Sequence, residues 1–234
     1  TPNYLNSVKN LISQGIAGFD QIHTDFLKQL LITEIQGGGP STLNDLLIHV
    51  YIQEENFSGA FTQLKALDKR GNGNKSELFY LGRIANNNED YRLAEKVFDY
   101  ILKAGDESPF YEDALVARLD ARRMALEKGK KGLKYSWLDL KQEYFETRKE
   151  LVGFPEMGQL TIDLAHFMAF RLGEIDSSIV ILKGLLKTGY ILKDDGARAK
   201  IELGDILLYS GERWDAILYY GQAEKEFENS PIGS

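Results

Sequence analysis

The chain has 234 residues, of which 43% are hydrophobic, so it has enough apolar surface to fold and is not a disordered segment. Its 35 acidic and 28 basic residues give a net charge of −7, which repels polyanions and argues against general binding of nucleic acid. The absence of cysteine excludes disulfides and thiolate chemistry, and the absence of any apolar run of about 18 residues predicts no transmembrane segment.

Apolar residues recur three and four positions apart along almost the whole chain, and the alternation of a half-buried strand never persists. This pattern predicts an all-α fold. Two helices are expected in 1–40, meeting near Gly15 and Gly18, before Gly37–Pro40 breaks the second one. Regular helix pairs are predicted over 41–74 and 75–108, with the turn Gly71–Asn74 between them.

The next helix pair is predicted to be enlarged. Between Pro109 and the last clear unit, which begins at 197, the chain has about 20 residues more than two regular units need. We expect a long hairpin over 109–152 that turns near Gly129–Gly132, and then a loop at Gly153–Pro155. The predicted units are 1–40, 41–74, 75–108, 109–157, 158–196 and 197–231, stacked as one continuous domain over 1–234.

Two of these units carry the same residues at a constant offset of 122 positions. Leu81, Gly82, Ala94, Phe98 and Pro109 recur as Leu203, Gly204, Ala216, Tyr220 and Pro231. In the unit 41–74, Phe57, Ala60 and Leu64 stand 34 residues before Tyr91, Ala94 and Phe98, and 34 residues is the period of one class of helix-turn-helix repeat. Small residues let paired helices approach, and aromatic residues fill the gaps between them. The residues expected to pack the repeats are Tyr51, Ala60, Gly82, Ala94, Phe98, Gly204, Ala216, Tyr220 and Ala223.

These residues resemble the tetratricopeptide repeat family over roughly 41–108 and 197–231. The remaining segments are supported by period and amphipathic pattern alone. The resemblance implies a right-handed superhelical solenoid of antiparallel helix pairs, whose first helices line a concave groove for peptides or protein segments. The groove positions that it implies are Asp45, His49, Gln53, Phe79, Arg83, Asn86, Asn87, Ile162, His166, Phe170, Arg198, Asp205 and Tyr209. Tyr80 is expected to help hold the bound segment beside them. The Lys, Asn, Lys and Arg set with which some members hold a C-terminal carboxylate is missing, so an internal protein segment is the expected ligand.

No catalytic or metal-binding constellation is apparent in the sequence. The three histidines, His23, His49 and His166, are too far apart to form a helical metal pair. No Gly-x-Ser-x-Gly motif marks a nucleophile, so we expect neither an enzyme nor a bound cofactor.

Basic residues crowd the predicted hairpin, and two readings of them stay open. One is a helix C-terminus whose dipole attracts cations, and the other is a docking patch for an acidic partner or anionic headgroups. The residues are Arg118, Arg122, Arg123, Lys128, Lys130, Lys131 and Lys134.

The sequence therefore predicts a non-enzymatic scaffold that binds a protein or peptide partner. The alternative is an architectural module that self-associates, or joins the rest of a longer chain, through open solenoid ends, since no polar capping helix follows the last unit. We expect a longer bacterial parent protein. Abundant Asn and Tyr, together with the lack of cysteine, favour the periplasm or cell envelope.

Overall fold

The computed structural model describes residues 2–16, 18, 21–71, 73–188 and 191–228. Within these ranges the chain forms twelve α-helices and no strand, and this confirms the predicted all-α class. Pro231, on which the last predicted repeat ends, and Asn72 of a predicted turn lie outside the described residues. The chain divides into two compact units, unit 1 (Thr1–Ala114) and unit 2 (Leu115–Ser234), which are taken in turn. The single continuous stack over 1–234 stays a prediction.

From the second helix to the sixth, each helix of unit 1 packs on its neighbour in the chain, whereas the first helix packs on the third. Short polar side chains fix several helix starts: Asn56 accepts a hydrogen bond from the Gly59 amide at 2.9 Å, and Asp90 accepts one from the Leu93 amide at 3.2 Å. The helices are α1 (Pro2–Ile16), α2 (Gln21–Gln36), α3 (Thr42–Gln53), α4 (Phe57–Lys69), α5 (Lys75–Asn87) and α6 (Tyr91–Leu102).

Helices α5 and α6 are held together by a glycine that lies under an aromatic ring. A Cβ atom placed on Gly82 would come within 2.6 Å of Cε1 of Phe98, so any larger residue would collide with this ring. Phe98 and Ala94 are fully buried. The pair α3 and α4 uses the same contact with the helices exchanged, since the ring of Tyr51 on α3 lies 2.7 Å from a Cβ placed on Gly59 of α4.

The last two helices of unit 2 pack through the same contact between a glycine and an aromatic ring. A Cβ atom on Gly204 of α11 would lie 2.5 Å from Cε1 of Tyr220 on α12, and the Tyr220 hydroxyl donates to Asp205 at 2.7 Å. Ala216 and Ala223 are buried in the same interface. Helix α7 (Tyr111–Glu127) contains the boundary between the units, and it is followed by α8 (Trp137–Glu150), α9 (Glu156–Phe170), α10 (Ile175–Leu186), α11 (Lys193–Ser210) and α12 (Arg213–Glu228).

An aromatic cluster forms the centre of unit 2. The ring of Phe167 on α9 lies 5.2 Å from that of Tyr144 and 5.5 Å from that of Trp137, both on α8. A capping box begins α8: the side chain of Ser136 accepts from the backbone amide of Asp139, and the side chain of Asp139 accepts from the backbone amide of Ser136. These contacts fix α8 and α9 side by side. Among the described residues, no helix is both long enough and apolar enough to cross a membrane.

Candidate functional site

A cleft of about 160 Å³ lies on unit 1 between α1, α3 and α5. Its floor is apolar, and its rim carries charged and aromatic side chains. The floor residues are Ile48, Ile52, Leu64, Leu81 and Ile84, and the rim residues are Lys9, Asp45, His49, Glu77 and Tyr80. Side chains of four helices, α1, α3, α4 and α5, therefore build one small depression.

His49 fixes the position of α3 against α1 at the edge of the cleft. Its Nε2 atom lies 2.8 Å from the Ser13 hydroxyl and 3.1 Å from the Lys9 carbonyl oxygen. Burial lowers the pKa of His49, and the positive charge of Lys9 acts in the same direction, although the hydrogen bond to the Lys9 carbonyl opposes them. The ring is therefore mostly neutral near pH 7, and it contributes hydrogen bonds rather than charge to the cleft.

The opposite rim is acidic. Burial raises the pKa of Glu77, the carboxylate of Asp45 raises it further, and Lys9 lowers it. Two carboxylates therefore lie close enough to repel each other, and one lysine balances them in part. Tyr80 stands beside them on α5 and is 63% exposed, so its ring is open to a ligand.

The groove residues predicted in unit 1 fall into three groups. Asp45, His49 and Tyr80 meet at the cleft. Gln53, Arg83 and Asn87 are exposed outside its lining, and Asn86 is half-buried. Phe79 lies in the core, where its ring is 5.4 Å from that of Phe110 and 5.8 Å from that of Phe98.

Two rim residues, Lys9 and Glu77, were not predicted from the sequence. Lys9 belongs to the segment 1–40, whose repeat signal is too weak to define a register. Glu77 lies one turn before Leu81 in α5, on the face that also carries Tyr80 and Ile84. A helical wheel for α5 centred on Tyr80 would have selected Glu77, because residues three and four apart share a face.

In unit 2 the first helices of successive pairs, α9 and α11, meet through a row of side chains. The Nδ1 atom of His166 lies 2.9 Å from Glu202, and the rings of Phe170 and Tyr209 are 5.2 Å apart. Arg198 donates to Gln159 at 3.2 Å. The structure thus places His166, Phe170, Arg198 and Tyr209 along one shared face.

Two other groove positions predicted in unit 2 lie elsewhere. Asp205 accepts the Tyr220 hydroxyl within the α11–α12 pair. Ile162 is only 6% exposed and belongs to the core, and Asp163 occupies the polar face in its place. The prediction for α9 was therefore one residue out of register at this point.

Asp163 belongs to a half-buried polar network around Arg123. Burial raises the pKa of Asp163 to about 6, although the Arg123 guanidinium opposes this shift and Gln159 donates a hydrogen bond to the carboxylate at 3.0 Å. Arg123 itself donates to Asp120 at 2.5 Å and to Glu127 at 2.9 Å. One guanidinium therefore bonds two carboxylates of α7, and its charge acts on a third, Asp163 of α9.

The basic residues of the long hairpin do not act as one group. Arg118 and Arg122 both donate to Glu143, at 2.6 and 2.5 Å, and so join α7 to α8. With Arg123 engaged as described, the three arginines neutralise acidic groups of unit 2 itself. Lys128, Lys130, Lys131 and Lys134 lie in the exposed connection between α7 and α8.

Comparison with known proteins supports the fold. No protein-family model matches the sequence, and no curated protein matches it significantly. A solved crystal structure, that of BtubC (BKLC) from P. vanneervenii, is similar with a TM-score of 0.56 and 13% sequence identity, over 95% of this chain and 90% of that one. That neighbour is a helical-repeat protein. At this identity the likeness shows the fold alone, and the chain is accordingly an all-α helical-repeat protein.

Proposed function

We propose that this chain is a tetratricopeptide-like, non-enzymatic scaffold whose cleft on unit 1 binds a segment of another protein. The observation that carries the proposal is the depression between α1, α3 and α5, with its apolar floor and charged rim. Helical-repeat proteins commonly bind partners on extended surfaces formed by successive repeats.

The size of the cleft favours a protein segment over a small-molecule ligand. Its volume of about 160 Å³ is below the roughly 300–1,000 Å³ of typical ligand pockets. A cleft of this size holds one apolar side chain, and the rest of the ligand must lie on the surrounding surface. A peptide with a single apolar anchor meets both conditions.

The acidic rim of the cleft favours a peptide with a basic residue next to its apolar anchor. Asp45 and Glu77 repel each other, and a lysine or arginine of the ligand would relieve this repulsion. The same cation would also lie near the exposed ring of Tyr80, which stabilises positive charge at its face. The expected recognition sequence is therefore an apolar residue flanked by a basic one.

We predict that peptides selected on this protein lose affinity when Tyr80 is replaced by alanine. A phage-displayed library of random peptides is panned on the whole chain, and the enriched peptides are synthesised and titrated by calorimetry. Tyr80→Ala should weaken binding by about tenfold or more, as expected for an aromatic hot spot, and Glu77→Lys should weaken the peptides that carry a basic residue.

Tyr209→Ala is the matched control, because Tyr209 is 64% exposed and Tyr80 is 63% exposed. The two substitutions remove the same side chain from equally open positions in different units. Unchanged affinity for Tyr80→Ala, or an equal loss for both variants, would be incompatible with binding in the cleft of unit 1.

A second candidate function is end-to-end assembly, which exposed apolar residues on α2 and α12 favour. Ile22 and Phe26 on α2 are 76% and 68% exposed, and Trp214 on α12 is 85% exposed, with Ile217 and Leu218 beside it. Such faces are costly in water and commonly mark surfaces where other elements dock.

If these faces associate, sedimentation velocity should show oligomers that grow with protein concentration. Ile217→Glu should reduce this association, because it places a charge in the apolar face of α12. Val152→Glu is the control, since Val152 is similarly exposed but lies in the α8–α9 loop. A monomer at all concentrations would rule assembly out.

A further inference from the structure

Unit 2 has a second groove, which lies between α8 and α10 over α9. Its volume is about 430 Å³, and Phe145, Met168, Val180 and Ile181 provide most of its surface. Val180 is 69% exposed, so this apolar surface is open to solvent. The groove belongs to neither the cleft of unit 1 nor the shared face of α9 and α11.

The two ends of the groove differ in charge. At one end Lys141 is paired with Glu174 at 2.5 Å, and Asp176 lies beside them. At the other end, Arg148 of α8 follows one turn after Phe145 and lies against its ring, just outside the residues that line the groove. Lys141 and Arg148 are seven residues apart on α8, which corresponds to about 10 Å along the helix axis. A helical ligand of two turns would span the same distance.

Arg148 has no acidic partner among the described residues. Its Nε atom donates to the Thr161 hydroxyl at 2.9 Å, and its guanidinium carbon lies 5.9 Å from the centre of the Phe145 ring. Burial lowers the pKa of Arg148, and no neighbouring carboxylate opposes that shift. A half-buried guanidinium in this position retains its two Nη groups as donors.

We propose that this groove docks an amphipathic segment of a partner protein, which sets an aspartate or glutamate carboxylate on Arg148 and an apolar side chain between Phe145 and Val180. A carboxylate accepts two parallel hydrogen bonds from the planar fork of an arginine, and this geometry gives both strength and orientation. The two anchors are one helical turn apart on α8, so the partner presents its acidic and apolar residues three or four positions apart on a helix.

A protein carboxylate fits this site better than a free anion or an anionic membrane. The groove offers apolar contact immediately beside the guanidinium, and a free phosphate would leave that surface uncovered. The net charge of the chain is −7, which disfavours approach to an anionic bilayer. Charge complementarity at Arg148 and apolar burial at Val180 therefore point to the same partner.

The test pans a random peptide library on the whole chain and removes the peptides that still bind the Arg148→Gln variant. The remaining peptides should contain an acidic residue three or four positions from an apolar one. Replacing that acid by its amide should weaken binding to the unchanged chain about ten- to a hundred-fold, as expected for a charge-assisted hydrogen bond. Val180→Asp, at a position that is 69% exposed, should weaken it similarly.

Arg171→Gln is the control, because Arg171 is exposed at the C-terminal end of α9 in the same unit, whereas Arg148 lies against Phe145 of the groove. These peptides should also bind Tyr80→Ala normally, which separates this surface from the cleft of unit 1. The proposal is overturned if no peptide depends on Arg148, if Arg171→Gln is equally harmful, or if inorganic phosphate or phosphatidylserine vesicles displace the peptide at comparable concentration.

Discussion

Replacing Arg123 by glutamine is expected to lower the free energy of unfolding of unit 2 by about 3–5 kcal/mol. Arg123 donates to Asp120 and Glu127, and its charge also opposes the raised pKa of Asp163. Without the guanidinium, three carboxylates in a half-buried region would lose the cation that two of them bind and that acts on the third. Breaking such a network costs more than an exposed ion pair is worth, because the remaining charges stay desolvated.

Tryptophan fluorescence during urea unfolding can follow this change in unit 2 specifically. The chain has two tryptophans, Trp137 and Trp214, and both belong to unit 2. Trp137 packs 5.5 Å from Phe167 in the core, so its emission should change when that core opens. Arg213→Gln, at an exposed position of α12, is the control. A loss below about 1 kcal/mol for Arg123→Gln would show that the network stabilises little.

The same network predicts the direction of a pH effect. The pKa of Asp163 is raised to about 6 in the folded chain, from 3.8, so the folded state binds more protons than the unfolded state between these values. Stability of unit 2 should therefore fall as the pH rises from about 4 to 6 on account of this group. Asp163→Asn should remove this part of the pH dependence, and a variant with the same slope as the unchanged protein would contradict the assignment.

The second large effect is expected at Gly204. A Cβ atom there would lie 2.5 Å from the ring of Tyr220, and that ring is also held by its hydrogen bond to Asp205. Gly204→Ala should therefore destabilise unit 2 by about 1–3 kcal/mol through overpacking. Gly82→Ala should do the same in unit 1, because Phe98 is fully buried and cannot move away.

Gly184→Ala is the control, because the same substitution is expected to stabilise the protein there. Gly184 lies inside α10, and a Cβ atom there would meet nothing within 4 Å. Alanine should stabilise that helix by about 0.5–1 kcal/mol relative to glycine. Thermal unfolding followed by circular dichroism separates the two classes. Equal effects at Gly184, Gly204 and Gly82 would mean that the glycines are not close-packing positions.

The helix pairs were predictable because their packing residues repeat. Gly82 with Phe98 and Gly204 with Tyr220 stand at one offset in the sequence, and the structure places each ring on its glycine. The exchange in the α3–α4 pair was not predictable from that pattern. There the ring belongs to Tyr51 on the first helix and the glycine is Gly59 on the second. The position on the first helix that is equivalent to Gly82, 34 residues earlier, is occupied by Ile48.

The candidate sites were predictable only where one helix determines them. His49 and Tyr80 reach the cleft because their faces of α3 and α5 follow from helical periodicity. Lys9 comes from α1, whose register the sequence does not define. The charge interaction of Arg123 with Asp163 and the lack of an acidic partner for Arg148 among the described residues depend on which helices become neighbours, and local periodicity carries no information about that.

Photo-crosslinking at the cleft tests the proposed binding surface most directly. Benzoylphenylalanine is placed at position 80 or, in a second variant, at position 209, and each protein is irradiated with a peptide selected on the unmodified chain. The two positions are almost equally exposed, at 63% and 64%. We predict a crosslinked adduct at position 80 and none at 209. Adducts at 209 alone, or at neither position with a peptide that binds, would contradict a binding cleft between α1, α3 and α5.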